Sequence, residues 1–193
     1  MSQLEQHLDH YSAQLEQLKQ QGNLRQFTSN IQHGRTIQIN GQSMLNLSSN
    51  DYLGLASDLH LREQFFDQTP NDLRIMSSSS SRLLTGNFPA YEQLELSLSQ
   101  AFYGRSALLF NSGYHMNIGI LPALSDVKTL ILADKLIHAS MIDGIRLSSA
   151  KYVRYRHNDL NHLSQLLQKY HADESFDRII VVTESIFSMD GDE

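Results

Sequence analysis

From residue 107 onward, short apolar runs alternate with longer stretches of helical periodicity, and this alternation most narrows the folds open to the chain. Strands are predicted at Ala107–Phe110, Thr129–Ala133, Tyr152–Tyr155 and Arg178–Thr183. Helices are predicted between them, at about 114–124, 139–148 and 159–171, the last with Leu160, Leu163, Leu167 and Tyr170 on one face. Strands separated by helices form βαβ units, which build a mostly parallel sheet. The unbroken apolar run Ile179-Ile180-Val181-Val182 predicts a strand covered on both faces. Sites in such sheets lie beyond the carboxyl ends of the strands. That rule points to Asn111–Tyr114, Asp134–His138 and Glu184–Asp192.

Upstream, Leu4, Leu8, Tyr11, Leu15 and Leu18 recur at helical spacing, so residues 3–21 are predicted to be a helix closed by Gly22. The runs Thr36–Ile39 and Ser43–Leu47 flank Asn40-Gly41, a strong hairpin signal. Residues 48–55 read as a polar loop, and the tract Ser77–Ser81 as another, short and set between structured segments. Tyr91, Leu94, Leu98 and Phe102 mark a further helix ending near Gly104. The division expected is a helix-and-hairpin segment over 1–47 and the first part of a larger α/β domain over 48–193.

Composition removes several function classes. The chain has 193 residues, 40% of them hydrophobic, which allows one sizeable core. Its net charge is −6 and its 15 Lys and Arg are scattered, which argues against a nucleic-acid partner. There is no apolar run of the ~18–20 residues that a bilayer requires, so no membrane partner is expected. The start MSQLEQHLDHYSAQ has neither a basic nor an apolar signal region. A cytoplasmic location is the default expectation. The absence of cysteine excludes disulfides, a thiol nucleophile and Cys-ligated zinc. His157 and His162 lack the i,i+4 spacing of a zinc helix, and no metal site is expected.

Three segments carry chemistry, each with a plainer alternative. Asn111-Ser112-Gly113-Tyr114 leads from a strand into a helix, where free backbone N–H groups can hold a phosphate. It also reads as an ordinary turn with a serine cap. His138 can stack on a planar cofactor or simply cap the next helix. Glu184-Ser185-Ile186-Phe187-Ser188-Met189-Asp190-Gly191-Asp192 gathers three acids and two hydroxyls, yet Asp190-Gly191 is equally good turn chemistry. No G-x-G-x-x-G, Walker or G-x-S-x-G pattern is present.

Taken together these stretches resemble the α-oxoamine synthases, a family of pyridoxal-phosphate (PLP) enzymes. The resemblance rests on Ser48 through Leu55 (SSNDYLGL), Ser81 through Gly86 (SRLLTG), Ser112-Gly113-Tyr114, Asp134 through Ser140, and Thr183 through Asp192, in the family's order and spacing. Arg156-His157-Asn158-Asp159-Leu160 looks most like the alanine-using branch that serves biotin biosynthesis. The fold implied is the aspartate-aminotransferase-like PLP-dependent transferase fold type I, an α/β architecture with a mostly parallel sheet flanked by helices. The reaction implied condenses L-alanine with a pimeloyl thioester, on CoA or an acyl carrier protein, with decarboxylation to 8-amino-7-oxononanoate. A homodimer with PLP near the subunit boundary is also implied.

Carried over by motif, Gly113 and Tyr114 would bind the PLP phosphate through backbone N–H groups, and His138 would stack on the pyridine ring and touch substrate. Ser188 would hydrogen-bond the phenolic oxygen, with Glu184 beside it; His138, Ser188 and Glu184 are thus the expected catalytic residues. Asn50 would face the substrate, and Arg25 would bind an acid group of it.

The sequence departs from the family in two places. Met76-Ser77-Ser78-Ser79-Ser80 replaces a loop usually rich in glycine. The family also runs on through an Asp-x-x-His segment to a Schiff-base lysine in Ser-x-x-Lys-x-x-Gly-Gly, whereas this sequence ends at Glu193. Ser125–Lys128 and Ser148–Lys151 share only the first half of that pattern, and Asp190 and Asp192 are poor substitutes for the pyridinium partner. The expectation is an incomplete part of a synthase, truncated before the lysine and inactive by itself. The alternatives are a sibling synthase that uses glycine (forming 2-amino-3-oxobutyrate or 5-aminolevulinate) and a non-catalytic partner subunit.

Overall fold

The computed structural model describes residues 3–188, 191 and 192. The chain divides into two compact units, Met1–Ser77 and Ser78–Glu193.

In the first unit α1 spans Gln3–Gln20, as the leucine spacing predicts, and Gly22 follows it at φ 70°; the side chains of Leu4 and Leu8 lie outside the described part. Strands β1 (Asn30–His33), β2 (Thr36–Ile39) and β3 (Gln42–Leu45) form an antiparallel sheet in that order. Ile39 pairs with Gln42 across Asn40-Gly41. Both turn residues have positive φ, 51° and 79°, as a type I′ hairpin requires. β1 carries a single apolar residue, Ile31, and for that reason shows no strand pattern in the sequence. Helix α2 (Leu59–Gln68) also went unpredicted, although Asp58 caps it by accepting the Leu61 N–H at 2.9 Å.

The second unit contains α3 (Pro89–Ala101), α4 (Gly113–Ala123), β4 (Thr129–Asp134), α5 (Ala139–Leu147), β5 (Lys151–Tyr155), α6 (Leu160–His171) and β6 (Arg178–Val182). The sheet is fully parallel, in the order β5-β4-β6, with Leu132 opposite Val153 on one side and Val181 on the other. Every residue of β4 is buried. One face of the sheet packs Ile131 and Ala133 with Ile137, Ile145, Val182 and Phe187. The other packs Leu130, Leu132 and Tyr155 against Leu163, Leu167 and Tyr170 of α6 and against Phe176.

Two predicted strands differ in the structure. The strand covered on both faces is β4; Val181 on β6 remains 42% exposed. Composition does not decide which strand is central; pairing does, and β6 has a neighbour on one side only among the described residues. Residues 107–110 belong to no helix or strand ladder. Side chains take the place of a neighbouring strand there: Glu95 Oε1 accepts the Leu109 N–H at 2.8 Å, and Arg82 Nη1 donates to the Leu109 carbonyl at 3.5 Å.

Arg82 and Glu95 form a two-pronged ion pair at 2.8 and 3.0 Å. The guanidinium also donates to Asn87 Oδ1 and lies 4.5 Å over the Tyr91 ring. Hydrogen bonds from Arg82 and from the Leu109 N–H hold the Glu95 carboxyl down to about 2. A carboxylate with a depressed folded value contributes stability above its unfolded value, about 4.3, and loses it as pH falls through the folded one. The stability difference between wild type and Glu95→Gln should therefore be full at pH 5–6 and shrink steadily toward pH 2. Denaturant midpoints measured across that range check this, and a difference independent of pH would contradict it.

Candidate active site

Three parallel strands deliver three segments to one edge of the sheet, the carboxyl edge that topology predicts for a site. β4 ends in Asp134 and runs on to His138 at the start of α5. β5 leads to His157 and Asn158, and β6 to Glu184, Phe187, Ser188 and Asp192. The N-terminus of α4 reaches the same region through α5, because α4 and α5 pack on each other and Asn117 Nδ2 donates to Ser140 Oγ at 2.8 Å.

Ser112 is the N-cap of α4, its hydroxyl accepting the His115 N–H at 3.2 Å. The N–H groups of Gly113 and Tyr114, first in the helix, have no acceptor among the described residues. Apart from chain neighbours and the helix's own backbone, no heavy atom lies within 4 Å of where a Cβ on Gly113 would stand. Unpaired donors, open space and the positive end of a helix dipole together suit a phosphate. The serine cap and the phosphate cup are thus compatible, because the cap uses a different N–H.

His138 caps α5: its Nδ1 accepts the Ser140 N–H at 3.2 Å and lies 2.7 Å from Ser140 Oγ. The buried Ser140 hydroxyl accepts from Asn117 and so has its own proton to give to His138 Nδ1. That leaves Nδ1 as an acceptor and the ring proton on Nε2. The ring is exposed and fixed in orientation, as a stacking residue must be. The His138 N–H donates to Glu184 Oε1, which ties the segment after β6 to the start of α5.

Deeper in, the Asp134 carboxylate is fully buried and accepts from the Leu136 N–H (2.8 Å), the Asn158 N–H (3.0 Å) and His157 Nδ1 (2.8 Å). Burial pushes its carboxyl up, but these bonds outweigh burial and leave it below the ordinary range. His157 Nε2 meets Asp192 Oδ2 at 2.6 Å, and Phe187 turns its ring edge-on to the imidazole. Bonds to Asp134 and then Asp192 raise the His157 value.

Of the predicted site residues, Gly113, Tyr114, His138 and Glu184 stand around one edge of the sheet. Ser188 is exposed on the same segment as Glu184 and Phe187. Asn50 and Arg25 are exposed residues of the first unit. Met189 and Asp190 lie outside the described residues. Nothing in the sequence marks Asn117, Ser140, Asp134, His157 and Asp192 as partners of one another; His157 enters there as a rejected metal ligand and as part of the Arg156–Leu160 motif. The register contained a clue: Asp134 pairs with Tyr155, so His157 emerges beside it two residues later.

A family model for class I and II aminotransferases matches residues 42–193. The chain belongs to the class I and II aminotransferase family. Curated relatives within it include proteins provisionally named 8-amino-7-oxononanoate synthase. The Pasteurella multocida protein is 61% identical over 95% of this chain and 47% of its own length. The Haemophilus influenzae protein is 57% identical over 96% and 48%. The chain thus spans about half the length of the curated relatives it matches. Among solved structures, a serine palmitoyltransferase variant from S. paucimobilis with PLP and myriocin bound aligns with TM-score 0.78 and 25% identity, covering 100% of this chain and 48% of that one. An 8-amino-7-oxononanoate synthase from Francisella tularensis aligns with TM-score 0.52 and 32% identity, over 75% and 38%. The aminotransferase family fold is therefore PLP-dependent fold type I, and PLP is the cofactor of these relatives. No helix among the described residues is long and apolar enough to cross a membrane.

Proposed function

We propose that this chain is part of a PLP-dependent acyltransferase that condenses L-alanine with a pimeloyl thioester, on CoA or a carrier protein, releasing CO₂ and forming 8-amino-7-oxononanoate for biotin synthesis. The observation that carries the cofactor reading is the pair of unpaired N–H groups at Gly113 and Tyr114, coupled through Asn117 and Ser140 to the oriented ring of His138. Identities of 57–61% with relatives named for this reaction, against 25% with the palmitoyltransferase, favour the substrate class.

PLP, when bound, supplies an electron sink for bond breaking at the amino acid. The chain's residues divide the remaining tasks. Gly113 and Tyr114 donate backbone N–H groups to the phosphate, while His138 covers one face of the pyridine ring. The Ser188 hydroxyl hydrogen-bonds the phenolic oxygen. Glu184 lines the pocket while its carboxylate holds the His138 backbone. The family resemblance, by itself, would assign Asn50 to the substrate and Arg25 to an acid group, and would pair two copies with the cofactor near their boundary.

The test is made on the complete polypeptide that carries these residues. PLP should bind with a characteristic absorption change, and alanine with pimeloyl-CoA should yield 8-amino-7-oxononanoate in preference to the products of glycine or serine. His138→Ala removes an aromatic contact that contributes roughly 0.5–1.5 kcal/mol, so PLP affinity should fall several-fold and the spectrum should shift. Unaltered affinity and spectrum in that variant would reduce His138 to a helix cap. Preference for glycine or serine would reassign the substrate.

A further inference from the structure

The segment after β6 is fastened at two points. Glu184 accepts the His138 N–H, and Asp192 is bonded by His157 Nε2 at 2.6 Å and Asn158 Nδ2 at 3.1 Å. Between them Phe187 is buried at 2% exposure, its N–H donating to the Asp192 carbonyl and its carbonyl accepting the Gly191 N–H. The other imidazole nitrogen bonds Asp134 Oδ1, at the end of the fully buried central strand. Carboxylates only accept, so an imidazole between two of them satisfies both only with a proton on each nitrogen. Among the described residues Asp192 Oδ1 is buried without a partner, and the imidazole and Asn158 are the groups that bond the carboxylate. The other charged and titratable side chains at this turn have their own partners: the Arg156 guanidinium pairs with Asp159 at 2.7 Å, and His162 Nδ1 accepts the backbone N–H of Arg156.

We propose that His157 is a positioning residue: as a two-donor imidazolium it ties the segment after β6 to Asp134 on the central strand, and so sets where Glu184 and Ser188 stand beside His138. Asp192 is its anchor in the segment. The tie itself stands on the hydrogen bonds; its relevance to a cofactor rests on the proposed function. Loss of one imidazole proton leaves one carboxylate facing a lone pair, and the segment is released while the sheet stays intact. The raised His157 value agrees with the two-donor form, which places release above about pH 6.5, the ordinary histidine value.

The test is amide hydrogen exchange of the full chain, expressed as protection relative to intrinsic rates, with NMR titration of the His157 ring. Protection at Phe187 and Gly191 should fall about tenfold or more as the ring loses its second proton, while Ile131 and Leu132 on β4 keep theirs. Asp192→Ala, which removes both side-chain oxygens, should show the low protection at every pH. In His157→Gln the side-chain amide takes the place of Nε2, so partial protection independent of pH should return. Protection at Phe187 that is constant through the ring titration overturns the proposal, as does loss shared equally by β4. PLP titration of the same variants separates the two readings. A loosened segment with unchanged PLP affinity supports the tie and counts against the cofactor contact assigned to Ser188.

Discussion

Replacing Asp134 with alanine is expected to destabilise the second unit by about 3–5 kcal/mol, the range for removing one member of a buried charged pair. The carboxylate has no exposure and accepts three hydrogen bonds, two from backbone N–H groups. Alanine leaves the Leu136 and Asn158 donors without an acceptor, each at roughly 1–3 kcal/mol, and frees His157 on the same side. The pH dependence has a definite sign. Asp134 lies below its ordinary range, so its contribution is present above about pH 4 and lost as pH falls through the lower folded value. His157 is raised, so its contribution is complete below about pH 6.5 and lost as pH rises through the folded value. The penalty should peak near pH 5–6 and decline on both sides. Denaturant unfolding of wild type and variant at pH 3, 5.5 and 8.5 measures it. A penalty under about 1 kcal/mol at pH 5.5 would mean that the carboxylate is not charged and paired as the geometry has it.

The sheet was legible because its information is local. Period and length gave β4, β5, β6 and the helices α4, α5 and α6 to within a few residues, and Asn40-Gly41 gave the hairpin. What failed depends on pairing. Nothing in Ala107–Phe110 reveals that Glu95 and Arg82, far away in sequence, take up the Leu109 backbone, and nothing in Ile179–Val182 reveals that β6 pairs on one side only among the described residues. β1 was missed because Asn30, Gln32 and His33 carry no apolar alternation. The candidate site divides in the same way. Gly113, Tyr114, His138 and Glu184 stand in motifs that can be quoted as short strings. The groups that orient them do not: Asn117 reaches Ser140 across 23 residues, and Asp134, His157 and Asp192 come from the ends of three strands. Hydrogen bonds between such segments are products of sheet register and helix packing, which sequence spacing along one element does not encode.

The close packing of α4 on α5 yields a second large expected effect. A Cβ on Gly144 would stand 2.3 Å from the Asn117 carbonyl oxygen and 3.0 Å from Leu121 Cδ1, so Gly144→Ala forces the two helices apart. The contact is with backbone, which cannot rotate away as a side chain tip can. Overpacking of this kind costs typically 1–3 kcal/mol, and the close approach to a carbonyl argues for the upper end. Alanine recovers roughly 1 kcal/mol of helix propensity, so the net loss should be about 2 kcal/mol. The damage should also reach the site. Displacing Asn117 lengthens its 2.8 Å bond to Ser140, the hydroxyl that fixes the His138 ring, and the first turn of α4 that presents Gly113 and Tyr114 moves with it. PLP affinity should therefore fall more than the stability loss alone explains. Gly119→Ala is the internal control, since there the nearest atom is Phe110 Cε1 at 3.5 Å, an ordinary contact, and the substitution should be neutral or stabilising. Unfolding midpoints and PLP titrations of both variants decide the matter. Equal behaviour of the two glycine variants would show that the α4–α5 approach does not support the cofactor side of the site.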